Sequence, residues 1–141
     1  SNTTGPYSRF QLKQYIEQTQ NDLFADRQLR LMIENGNRQV VGIVDLCSFD
    51  PLHNRAEVGI MVDKSCRRQG IGRNALALLE EHCFRYLGIH QLFAYIAVEN
   101  LPSRRLFAAC GYKESAVLKE WAHTFGGGYT DVLVVQKLNL S

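Results

Sequence analysis

The segment Arg67-Arg68-Gln69-Gly70-Ile71-Gly72-Arg73 carries the residue types best suited to hold an anion, and it lies between a strand pattern and a helix pattern. Glycine lets the backbone take positive φ and approach a ligand closely. The helix start that follows offers unpaired N–H groups and the positive end of a dipole. Together these features suit a phosphate cradle, and Arg67, Arg68 and Arg73 add charge. By spacing alone, a basic, solvated turn at a helix start fits as well. Two rival phosphate loops are excluded. A P-loop ends in Gly-Lys-Ser/Thr, whereas Arg73-Asn74 follow Gly72 here. A dinucleotide fingerprint needs three glycines, and only Gly70 and Gly72 are present.

The elements that must position this loop are legible around it. From Phe10, the residues Leu12, Tyr15, Ile16, Thr19 and Leu23 fall on one helical stripe. Residues 28–34 read as a strand, Asn35-Gly36 as a hairpin turn, and residues 38–49 as a second strand broken at Asp50-Pro51. Residues 55–63 (RAEVGIMVD) form a third strand, with Val58, Ile60 and Val62 on one face and Glu57, Gly59 and Met61 on the other. A helix follows over residues 71–87, stopped at Gly88. Residues 91–98 are apolar almost throughout, as in a strand covered on both faces. Asn100 is a natural cap for a short helix with Pro102 in its first turn and Gly111 at its end. Residues 113–124 and 129–138 are two last strands joined across Gly126-Gly127-Gly128. The expected class is a mixed α/β sheet, mostly antiparallel, with flanking helices.

Composition narrows the function. The chain of 141 residues is expected to be one domain, residues 1–141. Hydrophobic residues at 45% and charged residues at 21% are globular values. Apolar runs are too short for a membrane span, and residues 1–20 are too polar for a signal peptide. A net charge of +2, without an aromatic-basic stripe, argues against nucleic acid. Cys47, Cys66, Cys83 and Cys110 are widely spaced, and His53, His82, His90 and His123 are scattered. That pattern predicts free thiols in a reducing, cytoplasmic compartment and no metal site.

The strand RAEVGIMVD followed by RRQGIG resembles the acetyl-CoA-binding motif of the GNAT N-acetyltransferase superfamily. Residues 98–107, followed by Cys110-Gly111-Tyr112, resemble its second motif, an Asn after the central strand and then a short helix ending in Gly-aromatic. The final hairpin, with Gly-Gly-Gly-Tyr129-Thr130-Asp131-Val132, is similar to that of the ribosomal-protein and spermidine acetyltransferase branch. The likeness spans residues 10–138. It implies that backbone N–H groups of Arg68, Gln69, Gly70, Ile71 and Gly72, flanked by Arg67 and Arg73, hold the pyrophosphate of acetyl-CoA. It implies that the main chain at Ile60, Met61 and Val62 pairs with the pantetheine arm, and that Asn100, Ser103 and Phe107 on the short helix touch the cofactor.

Acetyl transfer to an amine needs a neutral nitrogen, yet a lysine-like amine of pKa about 10.4 arrives protonated. The resemblance makes Glu57 the candidate base, acting directly or through water; a structural pair with Arg55 or Arg67 is the alternative. A backbone N–H near Met61 would serve the oxyanion. The family's thiolate-protonating Tyr falls at Phe107, which has no proton to give, so Tyr95, Tyr112 and Tyr129 are the other phenols to consider. Cys66 lacks a neighbouring histidine and reads as incidental, and Trp121 and His123 read as core or edge residues rather than rims of the acceptor site. For a polyamine acceptor, Glu17, Asp22, Asp26, Glu34, Glu57 and Glu120 are the carboxylates that would have to meet. The family usually opens with a strand and helix ahead of the first helix read here, so an N-terminally incomplete domain with an exposed sheet edge is expected, and with it a homo-oligomer. The expected activity is transfer of an acetyl group from acetyl-CoA to a primary amine, of spermidine or another polyamine. A protein N-terminus or lysine, or a catalytically weak acyl-CoA-binding module, is the alternative.

Overall fold

A computed structural model describes residues 10–14, 22–67 and 69–140. The described residues form one sheet of seven strands: β1 (Gln11–Gln14), β2 (Leu29–Glu34), β3 (Val40–Asp50), β4 (Arg55–Val62), β5 (Gln91–Ala97), β6 (Lys113–His123) and β7 (Tyr129–Leu138). Their order across the sheet is β1-β2-β3-β4-β5-β7-β6. Every neighbouring pair is antiparallel except β4 and β5. Among the described residues, three α-helices and a 3-10 turn over Lys64–Cys66 accompany the sheet: α1 (Leu23–Asp26), α2 (Ile71–Glu81), which ends in a π-helical turn over His82–Tyr86, and α3 (Leu101–Ala109).

The hairpin at Asn35-Gly36 forms as its residues require. The Asn35 side chain accepts from the backbone of both Asn37 and Gln39 at 2.9 Å and closes the β2–β3 turn. Along β4 and β5, Ala56, Val58, Leu92, Ala94 and Ile96 are buried and belong to the core that includes Ile71, Ala75, Leu76 and Leu79 of α2. The alternate residues Glu57, Gly59, Met61, Gln91, Phe93 and Tyr95 belong to the opposite face.

The beginning of the chain departs from expectation. Residues 11–14 are not helical: they form β1, paired antiparallel with Leu31 to Glu34 of β2. The helical stripe had a competitor, because β2 presents a row of backbone groups that an extended partner satisfies. Leu12 still packs against the core, but from a strand. A strand therefore precedes β2 in the sheet, and the leading edge is covered at Leu31 to Glu34 rather than bare. Tyr15, Ile16 and Thr19 lie outside the described residues. Leu23 is buried in α1, which Asp22 caps by accepting from the Phe24 N–H at 3.0 Å. Among the described residues no helix is long and apolar enough to cross a membrane.

Candidate active site

The sheet opens at its centre. β4 and β5 pair at only three positions, Arg55 with Gln91, Ala56 with Leu92 and Glu57 with Phe93. Beyond Glu57, β4 stays paired to β3 as far as Val62 with Gly42, and β5 stays paired to β7 as far as Ala97 with Val132. Among the described residues, the inner edges of both strands are thus unpaired from Val58 and Ala94 onward. Such edges offer N–H and C=O groups to an extended, amide-bearing ligand, as in strand addition. Ile60 and Val62 are half-buried there, and Met61 is 70% exposed.

The glycine loop caps the open end. Gly70 adopts φ 77 and ψ 9 as the residue before α2, a left-handed conformation that favours glycine, and no side chain caps the helix start. The first N–H groups of α2 are therefore left for a ligand. Gly72 also has a packing role. A Cβ there would lie 3.1 Å from Leu106 Cδ2, so glycine is what lets α2 approach α3. Arg67 and Arg73 are exposed, and Arg67 Nε also donates to the Val62 carbonyl at 3.3 Å. Gln69 is exposed and Ile71 is core; Arg68 lies outside the described residues. From Glu57 to Val62 is five residues, roughly 16 Å of strand, the length of free edge that β4 offers.

Glu57 faces an open groove of about 410 Å³ on the side of the sheet away from α2. Ser48 and Asp50 of β3 and Arg55 of β4 line it with Glu57; Gln91, Phe93 and Tyr95 of β5, with Val134 and Gln136 of β7, form the other wall. The Ser48 hydroxyl donates to Glu57 Oε1 at 3.3 Å. Ser48 is brought there by a bulge between Cys47 and Asp50, where its φ is +50. Burial first, and then the Glu57 carboxylate, push the Cys47 thiol up to about 11. Arg55 meets Asp50 at 3.8 Å, so the arginine expected as a partner of Glu57 pairs elsewhere. The His53 backbone N–H, with help from Arg55, holds the Asp50 carboxyl below its usual range.

The second motif is placed differently from the first. Asn100 caps α3 by accepting from the Ser103 N–H at 3.3 Å, and Ser103 is half-buried in the first turn. Phe107 is 4% exposed and stands edge-on to Tyr112, with ring centroids 4.9 Å apart. Of the expected carboxylates among the described residues, only Glu57 reaches the groove. Glu34 pairs with Lys13 at the β1 end, and Asp22 and Asp26 belong to α1. Glu120 sits in a bulge of β6, and Glu17 lies outside the described residues. Ser48 and Asp50 are groove residues that sequence patterns did not single out, and Tyr95, considered from the sequence only as one of three phenols, is placed here on the same groove as Glu57. Trp121 and His123 are exposed on the outer strand β6, as edge residues. The four cysteines are unpaired, and among the described residues no cluster of three or more His, Cys, Asp or Glu could hold a metal ion.

A family model described as acetyltransferase (GNAT) domain matches residues 2–113, most of the chain. The chain belongs to the GNAT acetyltransferase family. Among curated proteins this GNAT chain is similar to a spermidine N(1)-acetyltransferase of Vibrio cholerae, 27% identical over 90% of the chain and 72% of that protein. It is also 34% identical to a putative phosphinothricin acetyltransferase of Bacillus subtilis, over 68% of the chain and 59% of that protein. Among solved structures, the N152L mutant of the Vibrio cholerae spermidine N-acetyltransferase SpeG superposes with a TM-score of 0.76 at 26% identity. That match covers 79% of this chain and 64% of the SpeG chain. The same enzyme in a dodecameric structure gives a TM-score of 0.76 at 25% identity, over 83% of this chain and 68% of that one. The split sheet, the loop before α2 and the mixed, mostly antiparallel topology are thus the GNAT fold.

Proposed function

We propose that this domain transfers the acetyl group of acetyl-CoA to a primary amine of a polyamine such as spermidine. The observation that carries the reading is the position of Glu57. It is the last residue of β4 to pair with β5, and its carboxylate lies in the groove where the sheet opens. The pyrophosphate is held at the α2 start by N–H groups of Gly70, Ile71 and Gly72, with Arg67, Gln69 and Arg73 around it. The pantetheine arm runs along the free edge of β4 at Ile60, Met61 and Val62, past Asn100 and Ser103; Phe107, expected to touch the cofactor, is instead buried against Tyr112 and backs α3. The amine enters the groove, where Glu57 accepts its proton, directly or through water, as the nitrogen attacks the thioester. Similarity to spermidine acetyltransferases supports the acceptor class. Asp50 adds a second carboxylate beside Glu57, as a polycation requires. Arg55 in the same groove favours a second reading, an acceptor that also carries an anionic group.

The four free thiols support a reducing, cytoplasmic setting. Contacts between copies of the domain are supported by the exposed outer strand β6. The test is free-thiol release from acetyl-CoA with and without spermidine. Glu57→Gln is expected to lower kcat by about 10²-fold while leaving acetyl-CoA affinity within twofold. Unchanged turnover would remove Glu57 from the reaction. Release stimulated by an amino acid rather than spermidine would select the second reading.

A further inference from the structure

We infer that Tyr95 is the acid that protonates the departing thiolate, an assignment that rests on the acetyl-transfer reading above. The amine lone pair forms the C–N bond at the thioester carbonyl, and the tetrahedral adduct then breaks its C–S bond with the electron pair on sulfur. That sulfur needs a proton as it leaves. Phenols titrate ordinarily at about 10 and thiols at about 8.5, so a phenol is acidic enough to assist, whereas a serine hydroxyl is not.

Phe107 has no proton to give and is buried against Tyr112. Tyr112 stands at the wrong end of the sheet. Its ring lies 5.9 Å from Lys137 Nζ, and Lys137 pairs in register with Leu92, inside the short stretch where β4 and β5 are closed together. Burial, and then the carboxylate of Glu80, also push its phenol up. Tyr129 is at the far tip of the β6–β7 hairpin, edge-on to His123.

Tyr95 has the opposite placement. It lies two residues past Phe93, the last β5 residue paired with β4, and so within the open part of the sheet. Its side chain lines the same groove as Glu57, and it is 44% exposed. Phe93 braces its ring edge-on, with centroids 5.7 Å apart. Glu57 and Tyr95 therefore stand on opposite walls of one groove, a base on β4 and an acid on β5. The proton balance closes: Glu57 takes the proton of the amine nitrogen, the Tyr95 hydroxyl gives its proton to sulfur, and both groups re-equilibrate with water through the open groove. The charged groups that share this groove are Asp50 of β3 and Arg55 and Glu57 of β4, while β7 contributes only the neutral Val134 and Gln136.

The experiment is Tyr95→Phe, which keeps the ring, assayed as thiol release from acetyl-CoA with spermidine across pH. Turnover is expected to fall by about 10²-fold and the alkaline limb of kcat to disappear, with spermidine KM and acetyl-CoA Kd within twofold. A kcat within about threefold of the parent overturns the assignment. So does a loss matched by a raised spermidine KM with the alkaline limb retained, which would make the hydroxyl an acceptor contact. A parent protein that binds acetyl-CoA but releases no thiol with any amine would instead overturn the acetyl-transfer reading itself, and this assignment with it.

Discussion

Ser48 bears on how Glu57 is held. Its left-handed backbone costs a non-glycine residue on the order of 1 kcal/mol, and the bulge that imposes this conformation also aims its hydroxyl at Glu57. Strain and orientation both come from Ser48 in its bulge, and substitution there can separate them. Ser48→Ala keeps the strain and deletes the hydroxyl. Ser48→Gly deletes the hydroxyl but relieves the strain, offset by roughly 0.5–1 kcal/mol of lost chain entropy. Both variants are expected to turn over several-fold more slowly, with the glycine variant no less stable than the parent and the alanine variant no more stable. Thermal melts beside kcat measurements check this. Full activity in both variants would leave the bulge without a part in placing the carboxylate.

The relation of β3 to β4 decides whether the free edge of β4 is straight enough to receive a ligand. Gly42 on β3 pairs with Val62 of β4 and has no room for a side chain. A Cβ there would lie 2.5 Å from the Met61 carbonyl oxygen and 3.0 Å from Ile33 Cδ1. Gly42→Ala must therefore push β4 sideways or strain the ladder, and it is expected to cost about 1–3 kcal/mol. If acetyl-CoA lies along Ile60 to Val62, its Kd should rise several-fold in the same variant, measured by calorimetry. A destabilised variant with unchanged Kd would place the cofactor elsewhere. The sequence showed these elements well: the Asn35-Gly36 turn marked β3, alternation marked β4, an apolar run marked β5, although only one face of β5 is buried, and Asn100 and Pro102 marked the start of α3. It misread residues 11–14, where a helical stripe of five residues outweighed a strand of four that exists because β2 needs a neighbour. It also showed only half of the site. The loop at residues 67–73 is contiguous, so its glycines and arginines could be read directly. The groove is assembled by register across four strands, so Ser48, Asp50 and Tyr95 had no linear signal to share with Glu57.

Across the whole molecule, the open half of the sheet needs a closed half to hold it. The closed half is tied by a buried node. Lys137 of β7 donates to Glu80 Oε1 of α2 and to the Cys110 carbonyl at the end of α3, each at 2.7 Å, and so joins three elements at one cation. Glu80 is only 7% exposed, and neither its Oε2 nor the Tyr112 hydroxyl meets a partner in good hydrogen-bond geometry. The node therefore depends on Lys137 for the charge of Glu80. Removing one member of a buried pair costs about 3–5 kcal/mol because the other charge is stranded. Lys137→Met should lower the thermal midpoint by roughly 10–15 °C at about 3 °C per kcal/mol for a domain of this size. Adding Glu80→Gln should restore most of that loss, since no buried charge then remains. Turnover measured well below the melt should be near the parent value in both variants, because the node stands where β4 and β5 are zipped and the chemistry stands where they part. A loss of kcat without a loss of stability would contradict that division and bring Tyr112 back into the reaction.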